Sequence, residues 1–347
     1  MKNILFLLLF LTLSKQVLAA RLTGFVNTSN GSELYVQYTK AEPGKPTFVF
    51  NNGLVYEIER WSKVSQALTK LGYGVLHYEF EGQNRSYLQS MNNNNGHPNW
   101  LYKGIKLDDS AQQLKEILDY FNISNANIVG LSYGSTIAAT FAKNHPEYIK
   151  NIVLMSPLII SLDRYDPQGK NFRLWLSTLD LWGPIGSYWS NYYYDMVYKW
   201  YYSKQSSTRN YDFGRWEKDY YKSVFQQVKS VNNFDLRKIN FKDNLDGKKL
   251  HLITASKENK VYLPDQLSMW NIWPKEIKGS LVHIQGASHA IPDSAPAFSI
   301  AILDSIAKEE NIMFKGSSFK AEIKNGKLVL DYFELNKYYF PNKLNFK

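Results

Sequence analysis

A chain of 347 residues can bury one large core or two modest ones, and without a single cysteine it excludes a disulfide framework, a thiol nucleophile and a lipid-bearing amino-terminal cysteine. Its formal charge of +10 is mild for this length and fits solubility, with attraction to an anionic membrane surface as a second reading. No basic helix or nucleic-acid module is present that would make DNA or RNA the partner.

Residues 1–19 have the composition of a secretory signal, with Lys2 ahead of an apolar run from Ile4 to Leu13 and small residues near Ala19. That run falls short of the ~20 residues needed to span a bilayer, so the expectation is a cleaved leader, a mature chain starting near Ala20, and export to the periplasm or beyond. Without Lys2 and Lys15 the charge would be about +8.

From Arg21 the pattern is of short strands. Gly24 to Asn27 and Leu34 to Tyr38 flank the turn signal Asn30-Gly31, an antiparallel lead-in. After the turn-rich Glu42 to Pro46, apolar strands alternate with helices: strand Thr47–Phe50, helix Ile58–Leu71, strand Gly74–Tyr78, helix Asp108–Phe121 opening on Asp108 or Asp109. The asparagine run 92–95 reads as a low-complexity loop. Strand Asn127–Gly130, helix Thr136–Asn144 and strand Ile152–Met155 continue the alternation, which implies a parallel sheet covered on both faces. Functional side chains are then expected at the carboxyl ends of the strands.

Between Pro157 and about Gly247 the alternation stops, and five of the nine tryptophans (Trp175, Trp182, Trp189, Trp200 and Trp216) gather with tyrosine runs. This is read as an inserted helical cap. Most of its rings serve to pack it down, but together they imply an apolar roof. Strands at Leu250–Ala255 and Ser280–Gln285 and a helix at Pro296–Ala307 complete the core, and Phe319–Ile323 with Leu328–Tyr332 reads as a terminal hairpin around Asn325-Gly326.

The strongest chemical signal is Gly130-Leu131-Ser132-Tyr133-Gly134, set between a strand and a helix. A sharp strand-to-helix turn exposes the serine oxygen, and the two glycines avoid collision with neighbouring backbone. A serine needs a base, and of the six histidines His77, His97, His145, His251 and His283 fall on strands, in the asparagine loop or after a helix, where structural or surface roles are the simpler reading. His289 follows a strand, on a loop leading to the last helix.

On these residues the chain, from about Phe25 to Ala307, resembles the α/β-hydrolase superfamily and its capped serine hydrolases. The segment Glu79-Phe80-Glu81-Gly82-Gln83-Asn84-Arg85-Ser86 is similar to an acidic, glycine-containing loop of that family, with Asn84 at the second glycine, and His145-Pro146-Glu147 with Ile152–Pro157 follows the family's course after the nucleophile helix. The resemblance implies Ser132 as nucleophile, His289 as base and Glu258 as the acid orienting it, with Asp163 in reserve. Glu258 stands where the family usually has aspartate, and Ala255 where it commonly has glycine, so the acid's loop is expected slightly further back. Asn51-Asn52-Gly53-Leu54 resembles the family's His-Gly loop, with Asn52 for histidine, implying an oxyanion hole from the amides of Leu54 and Tyr133. No cofactor is implied and no metal-binding motif is present in the sequence.

The expected fold class is therefore α/β, a mostly parallel sheet flanked by helices, divided as leader 1–19, core 20–157, cap 158–247, core 248–312 and extension 313–347. The expected activity is hydrolysis of a small-molecule or lipid ester with a hydrophobic acyl group. Two other readings stay open. One is an aminopeptidase-like peptide hydrolase in which Glu217 or Asp219 captures a free amine, and the other is a binding protein that kept the fold without turnover.

Overall fold

The structure is a computed structural model that describes residues 20–203, 220–241, 245–309, 318–324 and 327–332. The leader 1–19, Trp216, Glu217, Asp219, the turn residues Asn325-Gly326 and most of the extension 313–347 lie outside the described residues, as does the side chain of Trp200.

Ten described strands form one sheet in the order β1-β2-β4-β3-β5-β6-β7-β8-β9-β10. Strands β1 (Arg21–Asn27) and β2 (Glu33–Thr39) make the antiparallel lead-in, and β2 pairs antiparallel with β4 (Gly74–Tyr78). From β4 through β3 (Thr47–Asn51), β5 (Ala126–Leu131), β6 (Ile149–Met155), β7 (Lys249–Lys257) and β8 (Lys278–Ser288) every neighbouring pair is parallel. The far edge is β9 (Ser318–Lys324), parallel to β8, followed by β10 (Lys327–Tyr332), antiparallel to β9.

Alternation along these strands sorts their apolar side chains into two cores. Val49, Ile128, Leu154, Leu252 and Leu281 belong to one, which is completed by helices α4 (Leu107–Tyr120) and α5 (Gly134–Asn144) through residues such as Leu114, Ile117 and Phe141. Phe50, Val129, Val153, Ile253 and Val282 face the other, closed by α1 (Ser62–Lys70), the short α11 (Ile291–Ser294) and α12 (Pro296–Lys308), with α1 packed on α12 and Leu68, Ile291 and Ile302 in the cluster. Because both faces are covered, the central strands β3, β5 and β6 are buried along almost their whole length rather than on alternate residues.

Several elements differ from the sequence reading. The expected helix from Ile58 begins as a 3-10 turn, Ile58–Trp61, before α1. Asp108 and Asp109 lie in the first turn of α4 and Lys106 holds its N-cap position, so the carboxylates oppose the positive helix end without capping it. The loop expected through the asparagines is partly helical: α2 (Asn84–Asn93) and α3 (Asn99–Lys103) bury Tyr87 and Trp100, a packing gain that outweighs the weak helix propensity of Asn and Ser. A further helix, α10 (Leu263–Ile272), joins β7 to β8.

Between β6 and β7 lie the helices α6 (Leu162–Tyr165), α7 (Pro167–Asp180), α8 (Gly183–Ser203) and α9 (Tyr220–Ser230). Helix α9 docks on the core by polar contacts: Ser223 Oγ and Gln227 Nε2 donate to the Gly82 carbonyl, and Tyr220 donates to Asn84 Oδ1 at 3.1 Å. The α7–α8 junction points the other way, leaving Leu181, Trp182 and Ile185 at least 70% exposed. No described helix is long and apolar enough to cross a membrane.

The turn from β5 into α5 is pressed against the exit of β3. A Cβ on Gly134 would stand 2.1 Å from the Asn51 carbonyl oxygen, and one on Gly130 would stand 2.6 Å from Ser135 Cα, whereas Gly24 has open space around it. Gly134→Ala is therefore expected to destabilise the protein by about 3 kcal/mol or more, and Gly24→Ala by about 0.5 kcal/mol or less. Urea unfolding midpoints of the two variants check this.

Candidate active site

Ser132 follows β5 in a left-handed conformation, with φ of 53°, which a non-glycine residue adopts only where surrounding structure holds it. That hold is visible: the Ser132 N–H donates to the Met155 carbonyl at the end of β6 (3.0 Å), and its own carbonyl accepts from Ser135 N (3.0 Å), Leu158 N (3.3 Å) and Ser135 Oγ. The neighbouring strand and the first turn of α5 thus fix the backbone, leaving the half-buried hydroxyl free of their bonding.

Glu258 and His289 are brought together by an irregularity in the sheet. Ala255 of β7 pairs with Ile284 of β8, yet two residues later Lys257 pairs with Ser288, so β8 has gained two residues over β7. The residues that follow, Glu258 and His289, therefore emerge side by side. His289 Nδ1 lies 2.8 Å from Glu258 Oε1 and 2.9 Å from Oε2. The same carboxylate accepts from the N–H groups of Lys260 (2.8 Å) and Val261 (3.2 Å) and from Gln266 Nε2 (3.5 Å).

Burial works to raise the pKa of Glu258, but the hydrogen bond and charge of His289 and the two backbone donors outweigh it and hold the carboxyl below its ordinary value of 4.5. An ionised carboxylate takes the Nδ1 proton of the imidazole as its hydrogen bond, which leaves the lone pair on Nε2. The ring is partly accessible, with the His289 side chain 19% exposed against 1% for Glu258.

The loop Asn51 to Tyr56 stands on the opposite side of Ser132. A Cβ placed on Gly53 would lie 3.6 Å from Ser132 Cβ, so this loop is the serine's immediate neighbour. Among the described residues, the N–H groups of Leu54 and Tyr133 donate to no backbone carbonyl. Two unspent amides beside a serine can stabilise an oxygen anion. Leu54 and Val55 also pack on the buried aromatic cluster of Tyr87, Trp100 and Tyr220, giving this side an apolar wall.

Sequence reasoning placed Ser132, Glu258 and His289 after β5, β7 and β8, and all three lie along the carboxyl edge of the parallel run β5-β6-β7-β8. The structure joins Glu258 to His289; among the described residues it shows no hydrogen bond from Ser132 Oγ to that ring. Asp163, the reserve acid, is instead engaged by Arg173 and Lys170. The other histidines have structural partners: His77 contacts Ser65 Oγ at 2.6 Å and stacks on Phe50, His251 accepts from Ser280 N at 3.0 Å, and burial drives both down to about 3. His283 contacts Thr254 Oγ1 at 2.9 Å, and His97 contacts the Tyr102 hydroxyl at 2.7 Å. His145 stands 3.9 Å from Glu147.

Sequence reasoning missed the polar layer beneath the Asn51–Tyr56 loop, where Trp61, Asn52 and Gln83 are hydrogen-bonded to one another and all fully buried. Asn52, at the family's histidine position, was the part of this layer that the sequence offered as a brace for the loop; for Gln83 the signal was an amide side chain directly after Gly82 in the acidic loop.

Comparison with known proteins bears on the fold. Residues 46–293, more than half of the chain, match the alpha/beta hydrolase fold family. A stretch of 119 residues, 34% of the chain, is 28% identical to a protein named for carbamate hydrolysis, RutD of Stutzerimonas stutzeri, and covers 40% of that relative's length. Among solved structures, MGS-M2, an alpha/beta hydrolase from a Medee basin deep-sea metagenome, superposes with a TM-score of 0.61 at 17% identity, covering 83% of this chain and 98% of its own. The esterase EaEST of Exiguobacterium antarcticum (TM-score 0.56, 13% identity, 82% and 99% covered) and the carboxylesterase CesB of Bacillus subtilis (0.52, 13%, 84% and 93%) share the same fold. With a parallel sheet carrying a serine elbow and a carboxylate-bound histidine on its carboxyl edge, this chain belongs to the alpha/beta hydrolase fold family.

Proposed function

We propose that the protein is an exported serine hydrolase of carboxylic esters with a hydrophobic acyl group. The observation that carries this reading is the Glu258 carboxylate on His289 Nδ1, on the sheet edge that also presents Ser132. A histidine so held has its Nε2 lone pair available, which is what a serine hydroxyl needs in order to attack.

In the proposed reaction Ser132 Oγ adds to the ester carbonyl carbon while its proton passes to His289 Nε2. The oxygen anion of the tetrahedral intermediate is held by the amides of Leu54 and Tyr133. Collapse expels the alkoxide, which takes the proton from His289, and an acyl group remains on Ser132. Water then repeats the sequence, its proton going to His289 and from there to the departing serine oxygen, and a carboxylic acid is released. Substrate binding draws Ser132 Oγ and His289 Nε2 into hydrogen-bond distance, as catalytic contacts often tighten only in the complex.

The apolar wall at Leu54, Val55 and Tyr220 supports a hydrophobic acyl group, and the exposed Trp182 and Ile185 support an ester presented from a lipid or micellar phase. The likeness to part of RutD favours carbamates as a second substrate class. Export is proposed from the leader-like residues 1–19, and the first residue of protein recovered outside the cytoplasm, expected near Ala20, checks it.

A fluorophosphonate probe is expected to label Ser132 in the folded protein, and Ser132→Ala to lose both the label and roughly 10⁶-fold in kcat on p-nitrophenyl esters. A folded protein that binds acyl ligands but neither labels nor turns over esters or carbamates would be a binding homologue instead. Glu258→Gln is expected to lower kcat by on the order of 10³–10⁴-fold with little change in KM. Since the folded state depresses the Glu258 pKa, its stabilisation is present above the ordinary carboxylate range and lost as the pH falls through the lowered value. The gap in Tm between wild type and Glu258→Gln should therefore be widest near neutrality and close as the pH falls below the ordinary carboxylate range. Trp182→Ser with Ile185→Ser is expected to slow hydrolysis of emulsified esters at least about fivefold while leaving rates on dissolved short-chain esters unchanged, the loss of two interfacial side chains being felt only at the lipid surface.

A further inference from the structure

We infer that Gln83 is a positioning residue that fixes which way the Gly53–Leu54 peptide faces, and so aims the Leu54 amide at the oxygen anion formed at Ser132. The inference rests on the ester-hydrolase reading above.

A trans peptide directs its carbonyl and the following N–H to opposite sides. The Gly53 carbonyl accepts from Gln83 Nε2 at 3.0 Å and from Tyr56 N at 3.2 Å, so it is held away on the side of Gln83. The Leu54 N–H therefore projects to the other side. Turned over, the same peptide would present a carbonyl oxygen where the developing anion needs a donor.

The direction of the Gln83 amide is itself determined. An indole N–H can only donate, and Trp61 Nε1 donates to Asn52 Oδ1 at 3.0 Å. Asn52 must then turn its Nδ2 towards Gln83, and it donates to Gln83 Oε1 at 3.3 Å and to the Tyr78 carbonyl at 3.3 Å. With its oxygen occupied by Asn52, Gln83 can only offer Nε2 to the loop, and its two hydrogens serve the carbonyls of Gly53 (3.0 Å) and Tyr56 (3.1 Å). Polarity thus runs one way, from Trp61 through Asn52 and Gln83 to Gly53.

None of these three side chains has measurable solvent exposure, so a reversed amide would find no water to satisfy it. Val55, the next residue after Leu54, sits at φ of 51°, a costly conformation for a β-branched residue, in the stretch between the two carbonyls that Gln83 holds. Gln83 touches no reacting atom and acts through the loop alone.

The test uses p-nitrophenyl esters and a trifluoromethyl ketone that forms a tetrahedral adduct on a reactive serine. Gln83→Met keeps the length without the donors, and Gln83→Glu can still accept from Asn52 but, ionised, offers nothing to the two carbonyls. Both are expected to lose about 10- to 100-fold in kcat, less than the roughly 10²–10³-fold for deleting an oxyanion donor outright because the Leu54 amide is misaimed rather than removed, with KM changed less than about threefold. The ketone's Ki should rise in step with the fall in kcat/KM. Trp61→Phe, which removes only the N–H, should show the same pattern more weakly, and it serves if a Gln83 variant fails to fold. Folded variants with wild-type kcat and Ki, or a loss confined to Tm, would overturn the inference while leaving the hydrolase reading intact. A wild type that neither labels at Ser132 nor hydrolyses esters would remove both.

Discussion

A carboxylate withdrawn from water has to be answered by donors or it will not stay charged, and the arrangement around Glu258 follows from that constraint. Its side chain is 1% exposed, and it is met by the imidazole of His289, the backbone N–H groups of Lys260 and Val261, and Gln266 of α10. The charge is needed to hold the imidazole in one tautomer, and the donors are needed to hold the charge. The extra residues in β8 meet this need geometrically, since a regular ladder after Ala255 would carry His289 past the acid. Glutamate in place of aspartate is accommodated in the same way: the additional methylene lets both oxygens reach Nδ1 while the backbone donors still find Oε1.

The other side of Ser132 solves a different problem. Catalytic amides must stay unpaired, yet unpaired amides in a buried loop invite the peptide to turn and satisfy itself. Here the neighbouring carbonyls are saturated instead, by Gln83 and by Tyr56 N, so turning the loop gains nothing. The helices between β6 and β7 contribute to this indirectly. Helix α9 clamps the Gly82 carbonyl through Ser223 and Gln227, which fixes the backbone immediately before Gln83. Tyr133 is tied to the same helix by its hydroxyl, 2.9 Å from Ser230 Oγ. Removing or moving α9 would therefore disturb the oxyanion side before it touched the acid and base.

Much of this was legible in the chain. The sequence by itself determined the parallel sheet, through apolar strands at regular spacing, and the elbow, through two glycines that no other residue could replace where backbone passes within 2.1–2.6 Å of their missing Cβ atoms. It also determined which histidine stands on a loop after a strand and before the last helix, because the others read as falling on strands, in the asparagine run or directly after a helix. These are local properties of composition and spacing, which a linear string displays directly. Only the tertiary structure decided that Glu258 rather than Asp163 meets His289, that α2 forms through the asparagine-rich segment, and that Gln83 underlies the oxyanion loop. Each depends on partners about 30 positions away or more, such as Gln83 with Gly53 or His289 with Glu258. Such choices rest on strand register and on buried hydrogen-bond polarity, and neither exists until the sheet has brought the distant segments together.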